Sequence, residues 1–217
     1  MTDFAARRVM MVDTQVRPSD VTKFPIIAAM LAIPREVFVP QALRDAAYVG
    51  DNVALGAGRV VLDARVFAKL LDALDITPDE TVLDIGCGLG YSAAVIARIA
   101  KSVVAVEEDK AMADHAQAHL AALGAGNVTV VTGPLATGAA GHGPYDVAIV
   151  QGGVEVVSPE ILAQLRNGGR IAAVFMSGPL GIAKIGYKSG QDVAWRFSFN
   201  AALPVLAGFT AAREFSL

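Results

Sequence analysis

From Thr81 onward the chain alternates short apolar runs with segments of helical spacing. TVLDI (81–85), SVVAVE (102–107), NVTVV (127–131), YDVAIV (145–150) and RIAAVF (170–175) read as strands. Their apolar positions run on without alternation, as they do in strands covered on both faces. Between them YSAAVIARIA (91–100), a stretch from about Lys110 to Leu123, and SPEILAQL (158–165) read as helices. This order predicts an α/β fold in three layers, a mostly parallel sheet sandwiched by helices. After Phe175 the rhythm changes. IAKIGYK and VAWRFSF, separated by the turn residues Ser189 and Gly190, predict an antiparallel pair that finishes the sheet.

Upstream of Thr81 the pattern is helical. Phe4 to Val16 and Val21 to Ala32 predict helices, with Pro25 tolerated in a first turn. Pro34 and Pro40 bracket REVFV (35–39), which predicts a short extended piece. Ala64 to Leu74 sets Val66, Phe67, Leu70, Leu71 and Leu74 on one helical face, the face that packs on a sheet. With no repeat and no low-complexity linker, the chain divides into an N-terminal helical cap with a loop on the substrate side (1–77) and an α/β core (78–217), together one compact domain.

Composition narrows the class. At 217 residues, 54% hydrophobic and 18% charged, the chain is neither disordered nor disulfide-stapled. A mean hydropathy of +0.49 raises the question of a membrane span. The long charge-free stretch His115–Tyr145 is interrupted by His, Gln, Asn, Thr and Gly, so no transmembrane helix and no membrane partner are expected. A lone Cys87 and an N-terminus without a signal-type apolar run fit a cytoplasmic setting. A net charge of −3 gives no global reason to bind nucleic acid, and Arg7, Arg8, Arg17, Lys23, Arg35 and Arg44 read as solvated surface. His115 and His119 share a helical face but lack the remaining ligands of a metal site, so they too read as surface and no metal is expected. Trp195 reads as core packing.

The candidate chemistry lies in Val82-Leu83-Asp84-Ile85-Gly86-Cys87-Gly88-Leu89-Gly90-Tyr91, where a strand hands over to a helix. Glycines there allow a tight turn and a close ligand approach, with peptide N–H groups at the helix start facing the ligand. Glu107 ends the next strand, 21 residues beyond Gly86, where a carboxylate takes the hydroxyls of a ribose. The dinucleotide fingerprint G-x-G-x-x-G is broken, because Tyr91 stands at its third glycine. Together with Asp84 ahead of the first glycine, this points away from a nicotinamide cofactor and toward S-adenosylmethionine, whose amino group needs an acceptor. Cys87 reads as a small residue packed beneath the ligand.

DIGCGLGY followed by AVE resembles the first two motifs of class I S-adenosylmethionine methyltransferases. MVDTQVRPSDV, IPREVFVP, AAYVGDNVALGAGR, NVTVVTG, GPYDVAIV and LAQLRNGGRI resemble the protein-L-isoaspartate O-methyltransferase family in its order. The resemblance implies a seven-stranded sheet with a final antiparallel strand, S-adenosylmethionine as cofactor, and methyl transfer to a peptide or protein carboxylate exposed by aspartate isomerisation. It implies a cofactor set of Val61, Asp84, Gly86, Cys87, Gly88, Gly90, Tyr91, Glu107, Glu108, Gly133, Pro134 and Leu135. Two places depart from the family. Its G-x-T-I-S-Q-P loop is here Gly58-Arg59-Val60-Val61-Leu62-Asp63-Ala64, so Leu62 stands where the family has serine; Leu62 and Asp63 are the candidate reaction-centre residues. Gly133-Pro134-Leu135 replaces an acidic G-D-G. Asp63 has a second reading as the cap of the helix that follows. The departures leave open a methyltransferase of the same fold with another acceptor, or a non-catalytic cofactor-binding module.

Overall fold

Two short strands, β1 (Val53–Gly56) and β2 (Arg59–Val61), form an antiparallel hairpin ahead of the main sheet, with Val53 opposite Val61 and Gly56 opposite Arg59. The main sheet contains β3 (Thr81–Ile85), β4 (Ser102–Glu107), β5 (Val128–Thr132), β6 (Tyr145–Val154), β7 (Leu165–Ser177), β8 (Leu180–Ser189) and β9 (Asp192–Asn200). These positions come from a computed structural model that describes residues 3–211. The strand order is β5-β4-β3-β6-β7-β8-β9. The first five strands pair in parallel, whereas β8 is antiparallel to both β7 and β9. The antiparallel finish is therefore a meander in which β8 runs against the other strands and β9, antiparallel to β8, runs with them again.

The parallel strands are buried on both faces, and period two decides which residue meets which layer. Val82, Val103, Ala105, Val147, Ile149, Ala172 and Val174 join one apolar cluster; Leu83, Ile85, Val104, Val106, Ala148, Val150, Ile171 and Ala173 join the other. Helices α3 (Ala64–Leu74), α4 (Tyr91–Ile96) and α5 (Lys110–Ala122) cover the first face, together with α1 (Phe4–Met11) and α2 (Phe24–Ala32) of the cap. The second face is covered by α6 (Pro159–Ala163), by Leu135 and Tyr145, and by a segment containing Leu206 and Phe209. That segment runs back along the end of β6, where Gly153 N donates to Pro204 O at 2.8 Å and Leu206 N donates to Gly153 O at 2.9 Å.

The α3 stripe is the expected one: Val66, Phe67, Leu70, Leu71 and Leu74 are all buried. The cap differs from the sequence reading in three places. REVFV is not extended; Arg35–Phe38 form a 3-10 turn, closed by Val37 N donating to Pro34 O at 3.1 Å. An extended chain would send Arg35 and Phe38 to opposite faces, whereas a three-residue turn brings both inward. The helix expected over Phe4–Val16 widens at Val12 into a π turn ending at Val16, which keeps Met11 and Val16, five apart, on one buried side. The helix expected from Val21 begins at Phe24, just before Pro25.

Two cap arginines are also not surface groups. Arg35 is 0% exposed, and Arg8 donates to Tyr48 Oη (3.0 Å), Leu31 O (3.2 Å) and Glu36 (3.4 Å). Arg17 and Lys23 do lie outside, in ion pairs with Asp13 and Asp75. Among the described residues no helix is long and apolar enough to cross a membrane.

Candidate active site

The same period two that sorts the core places the polar residues of the site. Asp84, two residues beyond Val82, and Glu107, two beyond Ala105, point toward the face of the sheet covered by α3–α5 and the cap. Gln151, two beyond Ile149, falls on that face as well. All three sit at the carboxyl ends of adjacent strands, where open α/β sheets bind ligands.

Gly86 and Gly88 leave β3 with φ of +85° and +56°, a backbone that side chains rarely adopt, and the loop delivers the chain into α4. Gly90 shares the left-handed backbone at φ +98° and also packs on α5, where an added Cβ would lie 3.2 Å from that of Ala116. Glu107 is 0% exposed. Its Oε1 accepts from Glu108 N (3.0 Å) and Asp109 N (3.2 Å), and its Oε2 accepts from Gly88 N (2.7 Å) and Arg59 Nη2 (2.8 Å). The acid thus ties the glycine loop to the start of α5. Glu108 contributes its N–H to that turn while its side chain is exposed. Gly133 lies alongside, its N donating to Glu107 O at 3.0 Å; Pro134 is exposed and Leu135 is buried in the second cluster.

Asp84 is buried with both oxygens engaged, Oδ2 by Ser92 Oγ (2.6 Å) and Oδ1 by Gln151 Nε2 (2.7 Å). Burial raises its pKa from 3.8 to about 6, against the two hydrogen bonds, which favour the charged form. The native state therefore binds more protons than the unfolded chain between about pH 4 and pH 6. Stability is expected to fall as pH rises through that window, by up to about 3 kcal/mol. Urea unfolding of the wild type and Asp84→Asn at several pH values checks this: the wild type should show a decline that the variant lacks, and parallel profiles would refute it. Cys87 is buried beside these acids and its thiol is pushed well above the usual range by burial, so it is an inert packing group.

The loop after β2 faces this floor. Val60, Val61, Leu62, Phe67, Gly86, Cys87, Tyr91, Ser92 and Gln151 line a cavity of about 10 Å³. Leu62 is buried, and its carbonyl accepts from Arg35 Nη2 at 2.7 Å. Asp63 caps α3, accepting from Val66 N at 2.8 Å, while its own N donates to Asn52 Oδ1 at 2.9 Å. Tyr91 stands at the junction of cap and core, its ring 5.8 Å from those of Phe38 and Phe67 and 4.8 Å from Arg35 Cζ. Burial raises the pKa of its hydroxyl.

The structure thus gathers Leu62, Asp84, Gly86, Cys87, Gly88, Tyr91 and Glu107 around one loop with Gly133 alongside, whereas Leu135 is buried on the other face of the sheet and Pro134 is exposed. Gln151 and Ser92 join them without having been singled out in the sequence, and Arg59, whose role the sequence left open between substrate and solvent, joins them through Glu107. Gln151 did carry a signal, as the first polar residue after the apolar run of β6, the same signal that exposed Glu107. His119 is not a free surface group, since its Nδ1 lies 3.2 Å from Leu89 O and its ring 5.4 Å from that of Phe38. Trp195 is partly buried, edge-on to Phe175.

A family model described as Protein-L-isoaspartate(D-aspartate) O-methyltransferase matches residues 8–178. The chain is 40% identical over 170 residues to protein-L-isoaspartate O-methyltransferase 1 of Rhodopseudomonas palustris (strain HaA2), covering 78% of this chain and 69% of that one. It is 34% identical over 171 residues to the protein-L-isoaspartate O-methyltransferase of Koribacter versatilis (strain Ellin345), with 79% and 77% covered. Among solved structures, a protein-L-isoaspartate O-methyltransferase superposes with TM-score 0.80 at 24% identity, over 93% of this chain and 66% of that chain. A beta-aspartate methyltransferase from Plasmodium falciparum, in complex with S-adenosyl-L-homocysteine, superposes with TM-score 0.78 at 13% identity, over 95% and 99%. These two likenesses establish the fold, and the sequence matches establish the lineage: the chain belongs to the protein-L-isoaspartate(D-aspartate) O-methyltransferase family of S-adenosylmethionine-dependent methyltransferases.

Proposed function

We propose that the chain methylates the side-chain carboxylate that isomerised aspartyl residues expose in proteins, in the cytoplasm, as a step of protein repair. The observation that carries this reading is the loop Val60–Asp63. It closes over the glycine turn, and its one ionisable side chain, Asp63, is spent on capping α3. A nucleophile that must lose a proton would need a general base there, whereas a carboxylate, with a pKa near roughly 4, arrives ionised.

The residues present suit the cofactor. Glu107 lies where ribose hydroxyls would donate, Asp84 and Gln151 form the polar floor beneath the amino-acid end, and Gly86 and Gly88 allow the ligand to approach the backbone. S-adenosylmethionine, when bound, would supply a sulfonium-activated methyl group that an ionised carboxylate can accept as an ester. The protein's part is alignment and exclusion of water. Arg35 fixes the Leu62 carbonyl, and the Leu62 side chain adds an apolar wall. The hydroxyl that the family places at this position is missing.

Labelled methyl transfer from S-adenosylmethionine to an isoaspartyl peptide, with the aspartyl peptide as control, tests the proposal. Transfer to the isoaspartyl peptide alone is expected. Leu62→Ser is expected to raise kcat/KM for that peptide roughly 10- to 100-fold, since a hydrogen bond to a charged group contributes about 1.5–3 kcal/mol. Leu62 itself favours the alternative of a different acceptor. Protein that binds S-adenosylhomocysteine yet labels neither peptide would overturn the isoaspartyl reading, and turnover of another acceptor would then separate that alternative from a non-catalytic cofactor-binding module.

A further inference from the structure

The β1–β2 hairpin lies on the glycine loop, and one of its side chains holds the face that Glu107 offers to a ligand. Arg59 is 3% exposed. Its Nη2 donates to Glu107 Oε2 at 2.8 Å and also to Gly86 O. A Cβ built on Gly86 would lie 2.8 Å from Nη2 and 3.3 Å from Cζ, so the guanidinium rests directly on the bare backbone of the turn. Leu55 of the same hairpin does likewise at Gly88, where a Cβ would lie 2.6 Å from its Cδ1.

We propose that Arg59 is a cofactor-competing residue: its guanidinium occupies the place on Glu107 that ribose hydroxyls take, and S-adenosylmethionine binds by displacing it. The inference rests on the methyltransferase reading above and adds a determinant of cofactor affinity that belongs to this chain's own loop. Two observations make the displacement feasible. Nε and Nη1 of Arg59 are buried and find no acceptor among the described residues, so most of the guanidinium's donors are unsatisfied where it sits. A buried ion pair completed by so few hydrogen bonds gains little over its desolvation cost. Glu107, in contrast, keeps three backbone N–H donors when Arg59 leaves, and hydroxyl donors replace the one it loses. The route outward is short, because Arg59 directly follows the exposed turn Gly56–Gly58, where Gly56, Ala57 and Gly58 all have positive φ.

Calorimetric titration of S-adenosylhomocysteine into the wild type, Arg59→Met and Arg59→Gln tests this, with stopped-flow association rates alongside. Both variants are expected to bind at least tenfold tighter than the wild type and to associate faster. In the wild type, the Nε–Hε resonance of Arg59, assigned by its absence from Arg59→Met, is expected to exchange slowly with solvent without ligand and to become fast-exchanging when S-adenosylhomocysteine is added. Variants that bind no better than a wild type that does bind, with the resonance still protected in the complex, would overturn the proposal while leaving the cofactor reading intact. Absence of binding by all three proteins, each folded by circular dichroism, would overturn both.

Discussion

Glu107→Ala is expected to weaken S-adenosylhomocysteine binding at least 100-fold and to cost about 3–5 kcal/mol of unfolding free energy, the range for breaking one side of a buried ion pair. The two effects share one cause. The carboxylate is the common acceptor for Gly88 N, Glu108 N, Asp109 N and Arg59 Nη2, and all of these lose their partner together. Gly88 and the start of α5 are then no longer tied, and the Arg59 guanidinium loses the carboxylate it is ion-paired with. Adding Arg59→Met to Glu107→Ala removes the stranded charge and is expected to restore part of the stability but none of the binding. This separates the ion pair from the loop anchor in a double-mutant cycle. Urea midpoints and calorimetry read both quantities. A Glu107→Ala protein with wild-type midpoint and affinity would refute the assignment.

Arg35→Ala is expected to be the most damaging substitution in the cap, at about 4 kcal/mol or more. Arg35 Nε donates to Ala47 O at 2.6 Å and Nη2 to Leu62 O at 2.7 Å, with the guanidinium stacked over Tyr91. Truncation strands two buried carbonyls, at about 1–3 kcal/mol each, and leaves a cavity beside Phe38 and Tyr91. Arg35→Met retains most of the volume and isolates the hydrogen bonds. It is expected to cost less stability, yet to raise the KM for an isoaspartyl peptide more than it lowers kcat, because the Leu62 loop loses its anchor. Thermal unfolding of both variants and steady-state kinetics of Arg35→Met decide the matter, and an Arg35→Ala protein melting with the wild type would sink it.

The elements of the core were legible because local periodicity dictates them. The short apolar runs at TVLDI and SVVAVE read as buried strands, the stripe from Val66 to Leu74 read as a helix face, and Gly86–Gly90 between strand and helix marked the tight turn. Glu107 showed itself as an acid closing an apolar run, and Gln151 carries the same mark. The cap was harder to read. In REVFV the prolines suggested an extended link, but the burial of Arg35 and Phe38 together selects the 3-10 turn, and that burial exists only once α4 and the Leu62 loop are in place.

What the sequence determined by itself was the α/β class, the glycine turn, the acid at the end of β4 and the family lineage, all of them carried by residues near one another in the chain. Tertiary structure decided which face of the sheet receives Asp84, Glu107 and Gln151, because the choice depends on which helices cover that face. It also decided that Arg35 and Arg59 lie inside. Their partners Leu62 and Glu107 are 27 and 48 residues away, and a buried guanidinium is tolerated only where folding brings distant acceptors to it.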